Sequence, residues 1–64
     1  MNKQEEIRKI LFNYMYDNEV TLKYISEMSG LSYNLLSRFK NNKIELEPET
    51  LSVLGIFLDM TLED

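Results

Sequence analysis

Apolar residues recur along this chain at three- and four-residue steps, the spacing that gathers side chains on one face of a helix. In KQEEIRKILFNYMY the residues Ile7, Ile10, Leu11 and Tyr14 form such a stripe and Met15 extends it. This predicts a first helix over about 3–17, with Phe12 and Tyr16 to the side and partly covered at best. Asn2 is placed to cap it, and Glu5 and Glu6 lie near the positive end of its dipole. Asp17, Asn18 and Glu19 make a polar loop, after which Val20 is placed to act as a hydrophobic staple.

The next stretch, TLKYISEMSGLSYNLLSRFKNNK, reads as two short helices joined by a tight turn. Thr21 caps a helix over 22–29, in which Leu22 and Ile25 face a core while Lys23 and Glu27 face water. Gly30 ends it, since glycine adopts the left-handed backbone that lets a chain leave a helix at once, and Leu31 then folds back on the helix just left. Ser32 caps a helix over 33–41. At about 100° per residue Leu35, Leu36 and Phe39 share one arc, and Tyr33, Asn34, Ser37, Arg38 and Asn41 spread over the opposite one, with Lys40 on the border. The outer arc has no acid. Its amides, hydroxyl and guanidinium are groups that pair with base edges: Asn with adenine, Arg with guanine, Ser with several.

Ile44 and Leu46 alternate with charges and are expected to tuck beneath the following connection. Pro48 suits the first position of a helix, where a missing N–H costs nothing, and a helix over 48–58 is expected. It is too apolar for one face. Leu51, Leu54, Gly55 and Leu58 make a core stripe, with Gly55 marking a close helix approach, while Val53, Ile56 and Phe57 form a second cluster on the other side. That cluster is either a partner surface, most simply that of a two-fold dimer, or is covered by Met60 and Leu62 folding back. Thr61-Leu-Glu-Asp64 looks like the start of a further, truncated helix from 61.

A glycine turn between two short helices, the second with a free polar face, makes a helix-turn-helix signature. ISEMSGLSYNLLSRFKNNK resembles the helix-turn-helix of the Cro and lambda-repressor-like family, through Ser26 after Ile25, Gly30, Leu31, Leu36 and Phe39. The likeness extends through NNKIELEPETLSVLGIFLDM, so it covers about 40 residues from Thr21 to Met60. It implies an all-α, lambda-repressor-like DNA-binding domain of four to five short helices. Tyr33, Asn34, Ser37 and Arg38 would then face the major groove, and Asn41, Asn42 and Lys43 would lie near phosphate. Three departures stand out. Leu22 sits where the family often has a glutamine that touches the backbone; Ser26 replaces a usual alanine, its hydroxyl expected to bond to the preceding turn; Asn42 stands where glycine is common, as the next-best left-handed residue.

Sixty-four residues make one domain, and a domain of that size buries only about 60% of the surface its unfolded chain exposes. With no Cys and no His, disulfides and the usual zinc constellations are excluded. No cofactor is expected. No apolar run reaches the ~20 residues of a membrane span, and a soluble cytoplasmic protein is the expectation. The net charge is −4, but it is unevenly spread. Residues 1–21 carry −1, residues 22–43 carry +3 from Lys23, Arg38, Lys40 and Lys43 against Glu27, and residues 44–64 carry −6 with no base. The motif is therefore the basic part of an acidic chain.

The expected function is sequence-specific binding of double-stranded DNA by a transcription regulator, a repressor of phage or plasmid type. Tyr33, Asn34, Ser37 and Arg38 would sit at base edges. Lys40, Asn41, Asn42 and Lys43, with the helix N-terminus at Leu22, would sit on phosphates. A homodimer would read two half-sites about 34 Å apart. The alternative is a protein-interaction module on the same fold, such as an antirepressor, an antitoxin-like partner or an inhibitor of a nucleic-acid enzyme, working through the acidic, apolar C-terminal helix. An enzyme is not expected: there is no Gly-rich phosphate loop and no hydroxyl paired with a base.

Overall fold

In a computed structural model the chain forms four α-helices: α1 (Lys3–Asn18), α2 (Leu22–Ser29), α3 (Tyr33–Lys40) and α4 (Pro48–Leu62). The structure describes residues 2–62, with side chains described through Asp59. No strand occurs among the described residues, so the fold is all-α, as the three- and four-residue spacing predicts. Helix α1 packs on α3 and α4, and α2 packs on α3 and α4. The whole measures 27 × 24 × 18 Å.

The caps stand where the sequence places them. Asn2 Oδ1 accepts a hydrogen bond from the Gln4 N–H at 2.8 Å, Thr21 Oγ1 from the Tyr24 N–H at 3.1 Å, and Ser32 Oγ from the Leu35 N–H at 3.4 Å. Gly30 ends α2 at φ 79°, and its N–H donates to the Ser26 carbonyl. The end of α3 is built by hydrogen bonds from the Asn42 N–H to the Phe39 carbonyl and from the Lys43 N–H to the Arg38 carbonyl, with Asn42 at φ 63°. That is the Schellman pattern with asparagine in the usual glycine position. Glu19 also takes a left-handed backbone, at φ 53° where α1 ends, which the sequence does not announce.

The core joins Ile7, Leu11 and Tyr14 of α1 to Leu22 and Ile25 of α2, Leu36 and Phe39 of α3, Leu46 of the connection, and Leu51, Leu54 and Leu58 of α4. Val20, Leu31 and Ile44 pack against it half-buried, as staple, turn and connection residues should. A Cβ added at Gly55 would lie 3.1 Å from Ile7 Cδ1, so glycine does mark a close approach of α4 to α1. Phe12 and Tyr16 are exposed beside the stripe.

Several expectations need correction. Helix α4 does not stop near Leu58 but runs on through Leu62, so Thr61 and Leu62 belong to it and open no fifth helix. The backbone hydrogen-bond ladder simply continues where the composition pauses. The fold-back of Met60 and Leu62 concerns side chains outside the described residues, as do Glu63 and Asp64. Phe57 does not stand opposite the core: it is half-buried against it, its ring 5.9 Å from that of Tyr14 in an edge-on arrangement. On a helix apolar all round, α1 selects which side is inner, and its Tyr14 offers Phe57 an aromatic partner. Leu35, assigned to the inner arc of α3, is 41% exposed. Leu36 and Phe39 alone set the buried direction, and Leu35 falls outside it.

Candidate nucleic-acid interface

The turn between α2 and α3 decides how α3 is presented. Ser26 Oγ donates a 2.6 Å hydrogen bond to the Leu31 carbonyl, forward across the turn rather than back to the preceding one as expected. The Leu31 N–H in turn donates to Ser29 Oγ at 3.3 Å. Two serines of α2 thus hold the connecting residue at both its polar groups, and Leu31 is half-buried on the core. The turn is tied by side chains as well as by its glycine.

With Leu36 and Phe39 fully buried, α3 turns Asn34, Arg38 and Asn41 outward, all exposed, and Tyr33 is exposed at the helix start. Ser37 lies between them but is half-buried. Asn41 uses its side-chain N–H to bond the Ser37 carbonyl at 3.0 Å, which leaves its amide oxygen as the outward group. Tyr33 also borders a shallow cleft with Lys23, Ser26 and Glu27 of α2. Glu27 is the one acid at that edge.

The expected phosphate group divides. Lys43 and Asn42 are exposed beyond the end of α3. The Leu22 side chain is buried in the core, so only its backbone N–H is available at the start of α2, where the Thr21 hydroxyl takes the Tyr24 N–H instead. Lys40 is half-buried and leans back toward α1, its ammonium 5.0 Å from the Phe12 ring centroid. Of the expected partner surface, Val53 and Ile56 are 41% and 60% exposed, while Phe57 faces inward.

Two residues of α1 that the sequence did not single out hold this region in place. Arg8 Nε donates to the Phe39 carbonyl at 2.8 Å, and its guanidinium lies 4.7 Å from the Phe39 ring centroid. A cation thus sits at the negative end of the α3 dipole and on a core aromatic at once. The Gln4 side chain donates to the Leu46 carbonyl at 2.9 Å and accepts from the Leu46 N–H at 3.0 Å, so one amide satisfies both backbone groups of the connection after α3. Both residues lie on the polar side of α1, where a chain pattern gives no sign of partners 31 and 42 residues away.

No buried side-chain nitrogen or oxygen lacks a partner among the described residues. None of those residues forms a group of three acidic or soft ligands able to hold a metal, and no helix among them is long and apolar enough to cross a membrane. No protein-family model, curated protein or solved structure matches the chain.

Proposed function

We propose that the chain binds double-stranded DNA in a sequence-specific way, as a transcription regulator of the repressor type, with α3 as the helix that enters the major groove. The observation that carries this is the outward face of α3: Asn34, Arg38 and the Asn41 oxygen stand free of acids on a short helix whose start, turn and end are each fixed by hydrogen bonds. A helix read by base edges must present amides and guanidinium in a fixed orientation, because bidentate pairing tolerates little rotation. The surrounding segment is also the net-positive part of the chain, which favours phosphate locally.

In this proposal Asn34 and Arg38 read bases, and Tyr33 and Ser37 contribute from the edges. Leu35, exposed next to Arg38, is suited to a thymine methyl. Lys43, Asn42 and the first N–H groups of α2 set the position on phosphates. Lys40 acts mainly within the fold. The segregation of charge limits non-specific binding, since the residues outside 22–43 carry a net −7, from −1 over 1–21 and −6 over 44–64, and repel DNA.

Selection from a randomised duplex pool at two salt concentrations tests it. An enriched site whose affinity falls with salt is expected. Arg38→Ala should cost ~1–3 kcal/mol at one base position and relax preference there, whereas Lys43→Ala should weaken all sequences alike and lower the salt slope by about one. Absence of enrichment by the folded chain at low salt rejects the proposal, and unchanged preference in Arg38→Ala rejects the residue assignment.

A further inference from the structure

A cleft of about 840 Å³ lies away from the outer face of α3, between α1 and α4. Ile7, Ile10, Leu51 and Gly55 line it, and Ile56 joins them with 60% of its surface exposed. On α1 the lining residues Lys3, Glu6, Ile7 and Ile10 recur at helical spacing, as do Pro48, Ser52, Ile56 and Asp59 on α4. Each wall is therefore one face of a helix. From Pro48 to Asp59 the α4 wall is about 16 Å long, or about three turns. The floor is closed because α4 approaches α1 so nearly at Gly55 that a Cβ would meet Ile7 at 3.1 Å. An occupant must lie along the groove rather than enter between the helices.

The charges say what kind of occupant. Among the described residues Glu6, Glu45 and Asp59 line the groove against Lys3 alone, and residues 44–64 contain six acids and no base. A second copy docked groove to groove about a two-fold axis would bring the two acidic rims together, a like-charge juxtaposition that disfavours the complex. We propose that the groove receives an amphipathic helix from a different protein, apolar along one stripe and bordered by Lys or Arg. Such a helix would lay its stripe over Ile10, Gly55 and Ile56 and set its cations against the three carboxylates. The mode is independent of DNA binding. It gives the chain a protein-facing surface separate from α3.

The test titrates the isotopically labelled whole chain, without DNA, with two designed helical peptides that share leucines at i, i+3, i+4 and i+7. One carries lysines beside the stripe and the other glutamates. The lysine peptide is expected to shift backbone amides along 6–10 and 52–59, to bind about tenfold tighter than its glutamate twin, and to lose that advantage as salt rises. Ile56→Ser should weaken it with the thermal melt unchanged, since that side chain is largely exposed. The combined Glu6→Gln, Glu45→Gln and Asp59→Asn variant should abolish the preference for lysine. Equal affinity of the two peptides overturns the proposal, and so do shifts centred on α3. A concentration-dependent dimer in sedimentation that Ile56→Ser dissolves overturns it too, by assigning the groove to a second copy.

Discussion

Glu19 ends α1 with φ 53°, a backbone that a residue with a Cβ adopts at a cost of ~1–2 kcal/mol. Neither its charge nor its neighbours require glutamate there, and it is exposed. Glu19→Gly removes the steric cost and gives back part of the gain as unfolded-chain entropy, so it should stabilise by ~0.5–1 kcal/mol, read as a higher urea midpoint with unchanged slope. A lower midpoint would mean that the side chain stabilises the α1 end in a way its exposure does not reveal. Asn42, at φ 63°, shows the contrast. Asparagine tolerates that conformation, and its place in the sequence already pointed to it. Glutamate gives no such signal, which is why the sharp stop of α1 was legible only as a polar loop.

At the scale of elements, position depends on a few side chains that reach between them. The Gln4 amide holds both polar groups of Leu46, itself 4% exposed. Gln4→Ala leaves that donor and acceptor without partners at a half-buried site, which should cost ~1–3 kcal/mol. Gln4→Glu keeps the acceptor but sets a carboxylate oxygen against the Leu46 carbonyl, so chemical denaturation should show it no better than alanine. If both variants match the parent chain, water replaces the amide freely and the clamp contributes nothing. The extents of α1, α2 and α3 were legible to within a residue because Asn2, Thr21 and Ser32 cap their starts, Gly30 and Asn42 mark the ends of α2 and α3, and a polar run follows α1. The extent of α4 was not, because no residue after Leu58 marks a stop. Leu35 and Phe57 were misplaced for a related reason: an arc drawn on one helix does not say where its neighbours stand. Leu36 with Phe39, and Tyr14 opposite Phe57, settle the question only once α1 is in place. The clamps from Gln4 and Arg8 were invisible for the same reason, since polar residues on a polar face look like solvated ones. The polar arc of Asn34, Arg38 and Asn41 was legible because it needs only helical periodicity.

The interior of the molecule is apolar, and polar side chains such as Gln4 and Arg8 act at its border. Among the described residues no polar or charged one is buried, and a chain of 64 residues has a total stability of only ~3–10 kcal/mol. Phe39 is fully buried, carries the Arg8 guanidinium on its ring and touches the heart of the core. Phe39→Ala should cost ~3–5 kcal/mol, comparable with that total, so far-UV circular dichroism at 25 °C should show substantial loss of helix. A variant that melts cooperatively near the parent temperature would mean that the core collapses around the gap. The charge pattern matters at this scale as well. An acidic body with one basic segment has a direction: the segment carrying α3 is net positive and the C-terminal residues 44–64 are net negative, the polarity on which both proposals rest.

The pairing of α1 with α4 also sets an order of events during synthesis. Leu51, Leu54 and Leu58 share one core with Ile7 and Leu11, so the core face of α1 waits for α4. Helices α2 and α3 leave the ribosome after α1 and before α4, joined by their own turn and with Arg8 of α1 already made to meet Phe39, but without the leucines of α4 that complete the core. Contacts within that pair are local and cheap in loop entropy, whereas the closure of α1 on α4 spans nearly the whole chain. A nascent chain therefore carries α1 and the helical pair before α4 closes the core over them, and the fixed presentation of α3 waits on the synthesis of α4.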